Sequence, residues 1–329
     1  MQSCFIDFSI TCKPLERLKL SFPFHIHVKI VFLGTGGSWP SPQRNVLSIA
    51  VKREKEIILF DCGEGTQRQF MLSSLSFMQT KKVLISHFHG DHFLGLPGMI
   101  QSMTLNDRED ELELFGPEGT AELVKILLEL GYFNPGFPVT VKDIEPGTVL
   151  GFEHYTITAY QAKHNVPCLG YCIEEKDRAG RFNLEKAKEL GIPEGPLYRR
   201  LQSGEDVKVG DKIFTPEMVL GPPRKGRKIV YSGDTLPSSE TVQIAKDCDV
   251  LIHDATADSS VEEKANRYGH STARQAAKIA KECKAKVLFL VHVSPRYEDA
   301  TPLVAEAKEE FENSILAEDF MEYDVRFNE

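Results

Sequence analysis

Residues Ser86-His87-Phe88-His89-Gly90-Asp91-His92 crowd three imidazoles and a carboxylate into one short stretch. The apolar run Val83-Leu84-Ile85 ahead of it reads as a buried strand, and Leu94-Gly95-Leu96 behind it as the opening of a helix. The four polar side chains therefore stand on a strand-to-helix loop. Alternate residues of extended backbone face the same way, so His87 and His89 can share one metal ion while Asp91 and His92 turn towards a second position. Imidazole nitrogen and carboxylate oxygen are a donor set suited to zinc. Chance clustering is the competing reading, since a single histidine is usually a satisfied polar group. Four ligand-type residues at this spacing argue for a metal site.

Strand and helix signals alternate along the rest of the chain, which predicts an α/β fold. Strands are expected over Val28 to Leu33, Ile57 to Asp61, Glu111 to Phe115, Val139 to Ile144, Tyr155 to Tyr160, Leu169 to Ile173, Lys228 to Ser232, Val250 to His253 and Lys286 to Val291. Helices are expected over Gly65 to Leu72, Gly119 to Leu130, Thr272 to Glu282 and Pro302 to Glu312, with another starting at Ser238. No repeat and no linker divides the chain, so one domain spans 28–329 and the segment 176–228 is an insertion within it. Gly34-x-Gly36-Gly37 after the first strand invites a dinucleotide reading, but Trp39-Pro40 and Pro42 stand where G-x-G-x-x-G would open a helix. These glycines instead let the backbone turn tightly beside the site.

Composition excludes some classes. No run of about 18 apolar residues exists, so no membrane span is expected. Seven scattered cysteines, an odd number, argue for reduced thiols in a cytoplasmic compartment. Cys168 and Cys172 lack the second pair that a zinc ribbon needs. The formal net charge of −9 argues against a polyanion partner until its distribution is considered. From Arg296 to Glu329 there are 11 acidic and 3 basic residues, whereas from Lys176 to Lys228 there are 13 basic and 8 acidic. The tail holds nearly all the excess, and local charge decides whether a polyanion docks. Residues 1–27 show little periodicity and no signal-peptide pattern, and are expected to be an extension outside the domain. One expectation is that Val28 is the natural start, read from a GTG codon, which mass spectrometry of the N-terminus would test.

Further ligand-type residues fall at strand ends, where α/β folds gather functional groups. His164 follows the Tyr155 to Tyr160 strand, Asp234 lies in Ser232-Gly233-Asp234-Thr235, and His292 ends the Lys286 to Val291 strand. Each alone would pass for a structural polar residue; as a set they can complete two coordination shells.

Together these residues resemble the metallo-β-lactamase superfamily and, more narrowly, the short form of the tRNA 3′-processing endonuclease RNase Z. The likeness runs from about Val28 to the C-terminus and rests on S-H-F-H-G-D-H, H-N-V-P-C-L-G-Y, S-G-D-T, the His270-Ser271-Thr272 loop and Gly195-Pro196-Leu197. It implies a four-layer αββα sandwich with an inserted flexible arm at about 176–228. It implies two Zn2+ per subunit, with His87, His89 and His164 at one ion, Asp91, His92 and His292 at the other, and Asp234 bridging them. It further implies a homodimer acting on precursor tRNA. Two zinc ions about 3.5–4 Å apart stabilise in-line displacement at phosphorus. Asp91 would orient the water as general base, and His270 would protonate the leaving 3′-oxygen.

Ser271 reads as the cap of the following helix, whose dipole would disfavour an imidazolium at His270. A compensating carboxylate is then needed, and Asp254 is the candidate; it stands where the family carries glutamate, so a looser contact is expected. His253 and His154 read as structural. The arm would hold tRNA through Gly195, Pro196, Arg199 and Arg200 together with the basic run Arg224 to Lys228, pairing with phosphates without reading sequence. Pro40-Ser41-Pro42-Gln43-Arg44-Asn45 resembles the family's P-x-K-x-R-N loop, with Pro42 in place of the lysine, and offers Arg44 and Asn45 as further substrate contacts. Two other readings compete: a small-molecule hydrolase of the same superfamily, which would not need the basic arm, and a non-catalytic RNA-binding protein, which would be expected to have lost ligands.

Overall fold

Val28, Ile30 and Phe32 enter one hydrophobic core while Val31 and Leu33 enter another, so the first strand is buried on both faces. That is why it reads as a continuous apolar run rather than an alternating one. The computed structural model describes residues 26–130 and 132–327. Among these, one seven-stranded sheet contains β1 (Val28–Gly34), β2 (Ser48–Arg53), β3 (Glu56–Phe60), β4 (Thr80–Leu84), β5 (Leu112–Gly116) and β6 (Val139–Asp143). Its order is β16-β1-β2-β3-β4-β5-β6, with β16 (Glu322–Asp324) at one edge and β6 at the other. The second seven-stranded sheet has the order β15-β14-β13-β12-β9-β8-β7. Its strands are β7 (Val149–Gly151), β8 (Tyr155–Ala162), β9 (Cys168–Glu175), β12 (Lys228–Tyr231), β13 (Val250–Asp254), β14 (Val287–Val291) and β15 (Ser314–Leu316).

The two sheets face each other across a core that includes Phe32, Phe60, Phe115, Tyr171, Tyr231 and Phe289. Helices Thr66–Leu72, Leu96–Leu105 and Thr120–Leu128 pack on the outer face of the first sheet. Helices Ser239–Ile244, Ala273–Glu282 and Thr301–Glu310 pack on the outer face of the second. Helix Ala273–Glu282 turns Ala273, Ala276, Ala277 and Ala280 inward, and these small side chains let it lie close to the strands. The result is the expected αββα sandwich. Sequence patterning did not reveal Ser48–Arg53, which pairs antiparallel with β1 and β3, nor the three-residue strands β7, β15 and β16.

The insertion between the paired strands β9 and β12 is a folded lobe rather than an open arm. It contains helices Leu184–Glu189 and Pro196–Gln202 and the hairpin β10 (Val207–Val209) with β11 (Lys212–Phe214). Ala187, Ile192, Tyr198, Leu201, Val207, Phe214 and Val219 form its own small core. At its root Arg178 and Arg224 bridge antiparallel, and the guanidiniums of Arg178 and Arg227 lie 3.4 and 3.8 Å from the ring centre of Phe327. The expectations for residues 1–27 fall almost wholly outside the described residues. Ile26, just before β1, packs against the inter-sheet core.

Candidate metal centre

The motif folds as its spacing suggests. β4 ends at Leu84, the chain runs extended through His87 and His89, and a single helical turn, Gly90–Phe93, carries Asp91 and His92. His89 has extended backbone (φ −73, ψ 142), which separates the first two histidines from the last two ligands. His87 Nε2 lies 2.9 Å and His164 Nε2 3.4 Å from His89 Nδ1, and His87 Nε2 lies 3.7 Å from Asp234 Oδ2. These four residues form one group that could hold a metal. Asp91, His92 and His292 form a second. Here Asp91 Oδ2 stands 3.5 Å from His92 Nε2 and 3.3 Å from His292 Nε2.

Asp234 Oδ2 stands between the two groups. It approaches His92 Nε2 at 3.3 Å and His292 Nε2 at 3.2 Å besides His87. The structure thus gathers all seven residues expected as ligands. Their chemistry fits a metal. His92 Nε2 and Asp234 Oδ1 are buried without a hydrogen-bond partner, a costly arrangement for protein alone and an ordinary one for ligand atoms.

Electrostatics favour the ligating protonation state at His87, His89, Asp91 and Asp234. Burial pushes the His87 and His89 imidazoles below their ordinary value, so both stay neutral. Burial opposes charge on Asp91 too, but His92 and His292 outweigh it and hold the carboxylate far below its usual range. Asp234 behaves alike, with His292 and His92 overcoming its burial. Burial works against charge on His92, yet Asp234, Asp61 and Asp91 raise its pKa well above the ordinary value. A cation among these carboxylates is therefore stabilised.

In four of the five histidines the ring nitrogen turned away from the centre is anchored. His92 Nδ1 bonds Asp61 at 2.8 Å, His164 Nδ1 the Gly269 carbonyl at 2.8 Å, and His292 Nδ1 the Thr256 hydroxyl at 2.8 Å. His87 Nδ1 meets Ser86 Oγ at 3.0 Å. Such partners fix tautomer and ring orientation. Sequence reasoning missed Asp61, Ser86, Tyr231 and Thr256 in this role. Asp61 also accepts from the Ser86 amide and hydroxyl and, at 2.5 Å, from Tyr231. Its place at a strand end was the available signal.

His292 itself has φ 62, a left-handed conformation unusual for a non-glycine residue. Gly37 lies directly against it. A Cβ on Gly37 would come within 2.4 Å of the imidazole, so glycine is required there for ring clearance and not, as expected from the sequence, for backbone freedom: neither Gly36 nor Gly37 has positive φ.

His270 stands beside the centre. Its ring stacks on His292 with centroids 4.9 Å apart, and its Nδ1 meets Asp254 Oδ2 at 3.0 Å. The shorter aspartate arm therefore does not loosen the contact. Burial disfavours the imidazolium, but Asp254 overcomes it and raises the His270 pKa to about 9. The capping expectation needs correction. Thr272, not Ser271, caps the helix, through a capping box with Gln275; Ser271 Oγ donates to the Thr235 carbonyl at 2.6 Å. His253 is fully buried outside these clusters, with Nδ1 on the Asp254 carbonyl, and His154 is exposed beside Glu153.

Of the expected substrate contacts, Arg44 and Asn45 are largely engaged within the protein. Arg44 donates to Thr35 Oγ1 and the Ala317 carbonyl, while Asn45 uses its amide on Asp319 and its side chain on the Glu64 carbonyl. Both fix the loop after β1. Gly195, at φ 132, and Pro196 start the lobe's second helix, whose last turn exposes Arg199 and Arg200; Arg200 also pairs with Glu205.

Paired histidine–aspartate clusters at strand ends of an αββα sandwich define a metallo-β-lactamase-type hydrolase. Residues 28–174 match the model described as "Anti-Pycsar protein Apyc1" and residues 217–293 the "Beta-lactamase superfamily domain". The chain is 45% identical to Ribonuclease Z of Methanosarcina acetivorans, covering 91% of this chain and 99% of that protein. It is 46% identical to Ribonuclease Z of Archaeoglobus fulgidus, covering 92% and 99%. The crystal structure of human tRNase Z, short form, superposes with a TM-score of 0.68 at 29% identity, covering 91% of this chain and 100% of that one. The chain belongs to the ribonuclease Z family.

Proposed function

We propose that this chain is a zinc-dependent endoribonuclease that removes the 3′ trailer from precursor tRNA, leaving a tRNA 3′-hydroxyl and a 5′-phosphorylated trailer. The observation that carries this reading is the shared position of Asp234 Oδ2 between two histidine groups, in a chain of this family. His87, His89 and His164 would hold one ion, Asp91, His92 and His292 the other, and Asp234 would bridge. Two zinc ions held there would supply Lewis acidity, lowering the pKa of water to about 7 and neutralising phosphoryl charge.

The remaining steps belong to the side chains. Asp91 stays ionised and takes a hydrogen bond from the Ser38 amide at 2.6 Å, which supports its role of orienting a water and accepting its proton. The water oxygen bonds to phosphorus as the bond to the 3′-oxygen breaks. His270, kept protonated by Asp254, gives its proton to that oxygen. Both groups stand beside His292: Asp91 Oδ2 is 3.3 Å from its Nε2, and the His270 ring stacks on it with centroids 4.9 Å apart.

The lobe's basic surface supports a tRNA substrate, since phosphate contacts supply affinity without reading sequence. Arg199 and Arg200 on its exposed helix, with Gly195 and Pro196 setting that helix, are assigned to this role. Arg44 and Asn45 shape the loop beside the cleavage site. A homodimer follows from the family resemblance, and a cytoplasmic location from the cysteine pattern; no described helix is long and apolar enough to cross a membrane.

The test is a precursor tRNA carrying a 3′ trailer, incubated with and without chelator. Release of a 5′-phosphorylated trailer that chelator stops supports the reading. Binding without cleavage, or hydrolysis of small esters alone, overturns it. Size-exclusion with light scattering tests the dimer.

A further inference from the structure

We infer that Trp39 stacks on a base flanking the scissile phosphate and so helps to position the substrate, an inference that rests on the proposed function. Trp39 is the sole tryptophan of the chain, and it is 56% exposed although the loop that carries it is firmly held. On one side of it, the Ser38 amide donates to Asp91 Oδ2 at 2.6 Å. One residue further back, Gly37 packs against His292 and its amide donates to the Val293 carbonyl at 3.1 Å. The Trp39 amide closes onto the Gly37 carbonyl at 2.9 Å, and the Ser41 amide onto the Arg44 carbonyl at 2.8 Å. Pro40 and Pro42 restrict the backbone beyond.

A large flat side chain is thus presented to solvent on a rigid loop whose two preceding residues touch two of the side chains proposed to bind metal. Burying an indole against protein would be the ordinary outcome for so apolar a surface. Leaving it exposed at the rim of a site that must accept single-stranded RNA suits a stacking platform, because every base has a face to offer. The platform fits either of two bases, that of the nucleotide before the scissile phosphate or that of the first trailer nucleotide.

The test uses the metal-loaded protein and the emission of its single indole. Rapid mixing with a trailer-bearing precursor tRNA is expected to quench that emission before cleavage. W39A is expected to raise KM about ten-fold, with kcat held within about two-fold, and W39F to restore KM. A precursor with an abasic residue on one side of the phosphate is expected to lose the quench, and which side does so names the base. Quenching that survives abasic residues on both sides, an unchanged KM in W39A, or a fall in kcat that W39F fails to restore would overturn the stacking. If the unmodified protein leaves every trailer intact the proposed function falls, whereas cleavage with an unquenched indole removes only the role of Trp39.

Discussion

His92 Nδ1 donates to Asp61 Oδ2 at 2.8 Å, with both side chains fully buried. With that nitrogen protonated, Nε2 is the free ligand atom facing Asp91 and Asp234. Asp61→Ala should therefore weaken metal binding about 10–100-fold by releasing the ring. Chelator competition followed by metal analysis measures this. An unchanged affinity would show that packing alone orients His92.

The His270–Asp254 pair sets the second prediction. His270→Ala should lower kcat about 10²–10⁴-fold while metal content stays intact. The acid form of His270 is present below its pKa, which Asp254 raises to about 9. Asp254→Asn removes that support, so activity should begin to fall at a lower pH on the alkaline side. A pH–rate profile with an unmoved alkaline limb would remove His270 as the proton donor.

Gly37 offers a steric test. Gly37→Ala would push a methyl into the His292 ring, 2.4 Å away, whereas at Gly36 a methyl would meet the Arg44 Cβ at a more tolerable 3.2 Å. A shift of about 1 Å at a reacting group costs about 10² in rate. The Gly37 variant should lose about that factor in kcat/KM and the Gly36 variant much less. Equal losses would contradict the placement of His292 against this loop.

Glu175 is buried between Arg53, at 2.9 Å, and Arg227, at 2.6 Å. Burial opposes its charge, yet Arg227 and Arg53 lower its pKa. A carboxyl so depressed contributes stability that is present above its unfolded pKa, about 4.3, and is lost as pH falls through the folded value. Glu175→Gln should cost about 3–5 kcal/mol at neutral pH by leaving the buried Arg227 guanidinium without its carboxylate and Arg53 with only Glu56, at 3.9 Å. Urea denaturation should show the gap to the unmodified protein closing below about pH 4. A gap independent of pH would mean the loss is one of packing.

The lobe's core is separate from the three cores of the sandwich. Deleting residues 179–223 cuts just inside the Arg178–Arg224 bridge and should leave the sandwich folded. Precursor tRNA cleavage should fall at least about a hundred-fold while hydrolysis of a small phosphodiester persists. Loss of both activities would assign the lobe a structural role.

The seven clustered side chains were legible because each follows a short apolar run, and such runs mark strands whose ends meet at one edge of a sandwich. Thr272 was equally legible: Thr-x-x-Gln is a capping box, and only the adjacent serine drew attention away from it. β15 and β16 were not legible, being three residues long and paired with strands distant in sequence; β16 joins β1. The lobe's compactness also escaped, since its mixed charge conceals seven buried side chains.

Sequence patterning determined the α/β alternation, the ligand types and the separation of His87 and His89 from Asp91 and His92, because strand burial and the alternation of side chains are local properties. The layer order and the full partition of ligands came with the family resemblance. Tertiary structure decided the rest. Asp61, Tyr231 and Thr256 acquire their roles only when strands far apart in the chain bring them to His92 and His292. Asp234 acquires its central position in the same way. A hydrogen bond depends on position in space, and residue spacing specifies that only within one helix or strand.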